Sequence, residues 1–270
     1  MRKRVLTLLT TSFLSFKSFD SVSADAIDLL DDTEMYSNEM MRRMAEDVIL
    51  RYYNNLDFGQ SAKPDYSTFR KAMIGFLNLK ATGVVEKENL ITIIDFNLPS
   101  TKKRLWIIDL EQKKLLFHEL VAHGRNSGNL YAKKFSNQQD SNSSSLGFYL
   151  TGEIYYGKYG RSLKLDGMEK GFNDKLRDRS VVMHGSNYVS QKIVDRTGRL
   201  GRSFGCPAIA WENKDKIIDT IGDNSVIYAN GPSLKYQSTS TLLNTAEAFS
   251  LLADQGFQIA EPAPQHLASR

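Results

Sequence analysis

A thiol attacks an acyl carbon well only as the thiolate, so a cysteine nucleophile needs a base or a cation nearby. This 270-residue sequence holds one cysteine, Cys206, and four histidines. Residues 181–210 read VVMHGSNYVSQKIVDRTGRLGRSFGCPAIA. A β-type run ends on His184 and meets Gly185, where the backbone is expected to bend sharply and stay open. Twenty-two residues after His184 stands Cys206 in Gly205-Cys206-Pro207, which reads as a tight, exposed turn. Glycine ahead of a nucleophile permits close approach of substrate and lets a backbone N–H aim at a developing oxyanion. Pro207 fixes the chain behind it. This pattern predicts nucleophilic acyl transfer with His184 as base. A second reading stands beside it on the residues alone: a structural turn with a half-buried thiol, and a strand-end histidine.

His before Cys disfavours papain-like peptidases, whose nucleophile comes first. His123-Gly124 echoes His184-Gly185, so His123 either competes as base or supports a strand end. A single cysteine excludes an intramolecular disulfide, and one Cys with four scattered His makes no zinc site. No metal and no cofactor is expected.

The elements that would position these residues follow from periodicity. Residues 35–53 and 67–80 predict amphipathic helices, the second with Phe69, Met73, Phe76 and Leu77 on one face. Short apolar runs at 90–96, 104–110, 114–123, 146–156, 180–184 and 225–229 predict strands. Few helical patterns separate them, which argues for a mainly antiparallel β domain. A short helix is expected at 211–221 and a helical tail at 241–253, with a loose end at 261–270. The Ser/Asn-rich stretch 136–145 reads as a solvated loop.

The opening carries an export pattern: Arg2, Lys3 and Arg4, then the apolar 5–16, then Val22-Ser23-Ala24 before Asp25. The apolar stretch is too short to span a bilayer, and no transmembrane segment is expected once it is removed. Residues 1–24 carry four basic side chains and one acidic, so they supply +3 of the chain's +4. The remainder is near neutral, which gives no support to nucleic-acid binding. The expected organisation is a signal peptide (1–24), an N-terminal helical segment (25–88), a catalytic domain (89–232) and a C-terminal helical tail (233–270).

His184-Gly185 followed by Gly201-Arg202-Ser203-Phe204-Gly205-Cys206-Pro207-Ala208 resembles the signature of the L,D-transpeptidase catalytic domain, in which His-Gly precedes Ser-x-Gly-Cys. The resemblance runs through Thr92–Phe96, Arg104–Leu110, Val121–Gly128, Phe135-Ser136-Asn137, Ser144–Phe148 and Leu165-Asp166-Gly167, roughly residues 65–232. It departs from the widespread motif at Phe204, where His is common, and at Ala208, where Arg is common. It is nearer a branch with Ser-x-Gly-Cys-Pro-Ala.

The resemblance implies a mainly β fold, a β-sandwich-like catalytic domain with helices at both ends. It also implies an enzyme exported to the periplasm or cell envelope that acts on peptidoglycan stem peptides. Cys206 would attack the carbonyl between the third residue and the terminal D-alanine. His184 would shuttle the proton, oriented by the backbone carbonyl of Gly185. Amides near Gly205 and Cys206 would form the oxyanion hole. Transfer to a neighbouring stem gives a 3–3 cross-link; transfer to water gives an L,D-carboxypeptidase. A wall-binding protein that has lost activity is the non-enzymatic alternative. A sortase-like reading needs an Arg soon after the cysteine, and no basic residue lies between Cys206 and Lys214.

Ser203 either holds the turn or contacts substrate, and Phe204 lies beside it. Residues 158–204 contain eleven Lys/Arg and five Asp/Glu. Arg199 and Arg202, nearest the cysteine in sequence, are candidates for a substrate carboxylate, with a solvated basic loop as the plain alternative.

Overall fold

The computed structural model describes residues 24–158 and 160–254. The expected export segment, but for Ala24, and the expected loose end lie outside them. The chain divides after Met40. Of the first unit, residues 1–40, the described part is the opening of helix α1 (Ala24–Asn55). The rest of the architecture belongs to the unit formed by residues 41–270.

Helix α2 (Tyr66–Ala81) begins where the Asp65 side chain accepts from the Ser67 amide at 2.9 Å, satisfying a donor that the first helical turn cannot. Its buried face carries Phe69, Ala72, Met73, Phe76 and Leu77, the spacing that a 3.6-residue repeat aligns. Gly75 lies against the Phe148 ring, and a β-carbon there would come within 1.9 Å of it. The missing side chain is what lets this helix approach the sheet.

Among the described residues nine strands follow: β1 (Leu90–Asp95), β2 (Leu105–Asp109), β3 (Lys114–Glu119), β4 (Val121–Ala122), β5 (Gly147–Gly157), β6 (Gly160–Gly167), β7 (Val182–Ser186), β8 (Ala208–Ala210) and β9 (Val226–Asn230). They form one sheet in the order β3-β2-β1-β9-β5-β6-β7-β8-β4. Leu120 alone separates β3 from β4, the strands at opposite ends of that order. The sheet must therefore coil until its ends nearly meet, which makes it barrel-like. Six neighbouring pairs are antiparallel; β1–β9 and β7–β8 are parallel. Strands β1 and β9 are buried throughout, and accordingly read as near-continuous apolar runs. Ile91, Ile93, Ile94, Ile107, Ile108 and Ile227 sit in this core, each contributing about 1.5–3 kcal/mol by its burial.

The remaining helices are α3 (Gln191–Thr197), α4 (Lys214–Ile221) after a 3-10 turn at Trp211–Asn213, α5 (Leu234–Thr239), and α6 (Thr245–Asp254) after a 3-10 turn at Thr241–Leu243. The described start of the tail is tied down at residues 236–244. Asn78 on α2 donates to the carbonyls of Leu242 at 2.9 Å and Asn244 at 2.8 Å. Buried Glu169 accepts from Tyr236 at 2.9 Å, from the Phe148 amide at 2.8 Å and from Ser240.

The mainly β class with helices at both ends agrees with the sequence reading. Strands β6 and β8 and helix α3 were not expected, and the first helix begins earlier than residue 35.

Candidate active site

Parallel pairing of β7 with β8 sets His184 level with Ala208, so Cys206 stands in the turn just ahead of β8, two residues before the histidine's partner. Both side chains line one cavity of about 480 Å³, together with Lys158, Arg179, Tyr188 and Arg202. The expected sharp bend after His184 is absent. Strand β7 continues to Ser186, and Gly185 pairs with Ile209 as an ordinary strand residue. Glycine is needed there for space, because a β-carbon would stand 2.5 Å from Lys214 Cδ.

The buried His184 ring places Nδ1 3.0 Å from the Gly185 carbonyl oxygen. A carbonyl oxygen only accepts, so Nδ1 carries the proton and Nε2 of the neutral ring presents a lone pair. Burial holds the His184 pKa below its ordinary value; the Gly185 bond opposes this and Lys158 adds to it.

The Cys206 sulfur is half-buried and accepts from the Val182 amide at 3.4 Å, while its thiol reaches the Ser180 carbonyl at 3.9 Å. Burial pushes the thiol pKa up, against the pull of the Val182 amide, Arg179 and Lys158. Desolvation thus disfavours the charged form of both groups.

Ser203 staples the turn. Its hydroxyl donates to the Cys206 carbonyl at 2.6 Å and accepts from the Gly205 amide at 3.0 Å. The Gly205 amide is therefore engaged, which leaves that of Cys206 as the turn's candidate oxyanion donor. Gly205 has φ +129°, and a β-carbon would lie 2.9 Å from the Ser143 carbonyl oxygen, so glycine is required on both counts. Ser144 also donates to the Gly205 carbonyl at 3.2 Å. The stretch 136–145 is a loop, exposed at Gln138, Gln139 and Asp140 as expected, but its end is not solvated: Ser143, Ser144 and Ser145 are buried.

Arg179 holds this arrangement together. Its guanidinium donates to Ser136 O at 2.8 Å, Ser145 Oγ at 2.7 Å, Ser143 O at 2.7 Å and Ser141 Oγ at 3.2 Å. It lines the cavity and acts electrostatically on Cys206. Sequence proximity to Cys206 did not reveal it; its place just ahead of β7 and His184 is the signal that could have.

Of the two arginines nearest the cysteine in sequence, Arg202 lines the cavity and Arg199 does not. Arg199 donates to the Leu200 carbonyl at 2.7 Å instead. Phe204 lines the cavity, is exposed, and carries the Arg125 guanidinium 4.7 Å from its ring centre. Much of the local positive charge is neutralised on the surface, where Arg161 pairs with Asp219, Lys164 with Glu153, and Arg177 with Asp166 and Glu153.

His123 does not line the cavity. Arg104 can only donate, so Nδ1 of His123 accepts from it at 2.8 Å, and the Nε2 proton faces the Gly128 carbonyl at 3.3 Å. Both nitrogens are occupied. Its backbone serves the site, since the His123 carbonyl accepts from the Ser203 amide at 3.0 Å.

Residues 60–230 match a family model described as the L,D-transpeptidase catalytic domain. Comparison with curated protein sequences gives no match. Among solved structures, an L,D-transpeptidase from Mycobacterium smegmatis aligns at 10% identity over 53% of this chain and 59% of that one, with a TM-score of 0.33. L,D-transpeptidase 1 of Mycobacterium tuberculosis aligns at 11% identity over 53% and 62%, with a TM-score of 0.28. An L,D-transpeptidase from Stackebrandtia nassauensis aligns at 11% identity over 68% and 89%, with a TM-score of 0.32. The chain thus spans less than two thirds of the two mycobacterial proteins.

Proposed function

Because the chain belongs to the L,D-transpeptidase catalytic-domain family, we propose that it transfers acyl groups of peptidoglycan stem peptides through a Cys206 thioester. The observation that carries this reading is the fixed tautomer of His184, whose Nδ1 is tied to Gly185 in the cavity that Cys206 lines.

His184 Nε2 takes the thiol proton as Sγ bonds to the carbonyl carbon between the third residue and the terminal D-alanine. The Cys206 amide faces the developing oxyanion. The C–N bond then breaks, and His184 returns the proton to the departing D-alanine amine. In the second half, His184 takes a proton from the side-chain amine of a neighbouring stem as it attacks the thioester. The new C–N bond forms, the C–S bond breaks, and the sulfur regains a proton. The product is a 3–3 cross-link.

The substrate places the protein in the periplasm or cell envelope, and the basic, apolar and small residues of the opening fit export. Incubation with purified disaccharide-tetrapeptide, analysed by mass spectrometry, tests the reading. Loss of D-alanine with a 3–3 dimer, absent in Cys206→Ala, is expected. A tripeptide alone would make the protein a carboxypeptidase. No release of D-alanine while Cys206 still alkylates would refute the substrate.

A further inference from the structure

Arg202 lines two adjoining spaces, the catalytic cavity and a more open groove of about 600 Å³. The groove is walled by the segment after β4, by residues 134–136 and by Ser143, whose carbonyl oxygen lies against Gly205. Three of its lining side chains are cations, Arg125, Lys134 and Arg202, and none is acidic. Among the described residues no carboxylate pairs with any of the three. Two of them are held by uncharged partners. Arg202 Nη1 faces the carbonyls of Arg125 at 3.2 Å and Gly128 at 3.1 Å, and Asn129 Oδ1 at 2.7 Å. Arg125 lies over the face of Phe204, two residues before the nucleophile. Positioned positive charge without its own counter-ion, beside a nucleophile, is complementary to an anionic substrate group.

Resting on the acyl-transfer reading, we infer that Arg125, Lys134 and Arg202 form a subsite for the α-carboxylate of the amine that leaves and of the amine that enters. Chemistry ties the two together. By microscopic reversibility, the attacking amine must approach the thioester from where the leaving amine departed. The leaving D-alanine has a carboxylate on its amine-bearing carbon, so the same anion site serves any acceptor built alike. The subsite selects carboxylate-bearing amines over neutral ones of equal size.

The test offers the acyl-enzyme formed from disaccharide-tetrapeptide either D-methionine or D-methioninamide. Intrinsic reactivity favours the amide, whose ammonium lacks a neighbouring carboxylate and is the stronger acid, leaving more free base at neutral pH. The expected result is a preference for D-methionine of about tenfold or more in the full-chain protein, the scale of a charge-assisted hydrogen bond. In Arg125→Gln/Lys134→Gln that preference falls toward one, and raised salt lowers it in the unaltered protein. No preference in the unaltered protein, or a preference that survives in the variant, overturns the subsite. If no D-alanine is released at all, the acyl-transfer reading fails separately. Protection of Cys206 from iodoacetamide then decides the subsite: protection by D-methionine but not its amide supports it, and equal or absent protection overturns it.

Discussion

His184 Nδ1 donates to the carbonyl of its own neighbour, Gly185, at 3.0 Å, and that glycine is packed so tightly against Lys214 that no β-carbon fits. Orientation of the base and packing of the strand thus meet in one residue. Gly185→Ala is expected to shift the carbonyl and the ring, lowering kcat about 10–100-fold, as misplacement on the scale of an ångström does. Lys214→Ala removes Cγ and Cδ, two of the three atoms the new β-carbon would meet. The double variant should therefore recover part of the rate. Equal loss in single and double variants would separate Gly185 packing from catalysis.

Desolvation sets the expected pH response of the thiol. Burial raises the Cys206 pKa and lowers that of His184, so neither shift favours a thiolate–imidazolium pair. The rate of iodoacetamide alkylation should climb with pH through an inflection above the ordinary thiol range of about 8.5. An inflection below pH 7 would instead show a preformed ion pair. Turnover should fall on acidification only below the ordinary histidine range of about 6.5, because protonation of His184 is disfavoured.

Arg179 opposes the upward shift of the thiol and also ties the 136–145 loop to the cysteine turn. Arg179→Gln removes the charge, so its alkylation inflection should move further upward. Arg179→Lys keeps a charge but cannot make the fork, and should recover the inflection more fully than kcat. A Gln variant with unchanged inflection and reduced thermal stability would mean that Arg179 is a clamp only.

The candidate site and the core were legible where chemistry compels residue type. Cys206 is the sole cysteine, Gly205 must hold φ +129°, and the core strands β1 and β9 are apolar because both faces are covered. What escaped the sequence reading was set by tertiary contacts. Strand β6 hides behind Arg161, Lys164 and Asp166, whose charges pair across the surface, and strand β8 is only three residues long. Helix α3 buries no residue and so shows no apolar stripe; its caps, Ser190 and Gly198, are its only local signals. The serines at 143–145 read as solvated because hydroxyls are polar, yet Arg179 and the cysteine turn cover them. Arg199 is close to Cys206 in sequence, but its guanidinium binds the Leu200 carbonyl and does not line the cavity.

His123 makes a stability prediction independent of catalysis. Burial first, then the Arg104 guanidinium, depress its pKa to about 4, against about 6.5 in an unfolded chain. Between those values the unfolded state binds a proton that the folded state refuses, so stability rises with pH there. The contribution is complete above pH 6.5 and is lost as pH falls toward 4, a change of about 3 kcal/mol at 1.36 kcal/mol per unit. His184, also depressed, acts in the same direction. Denaturant melts from pH 7 to pH 4.5 should show this loss. His123→Gln, whose side-chain amide can still accept from Arg104 and donate to Gly128, should flatten the profile. An unchanged slope in that variant would assign the acid sensitivity to other groups.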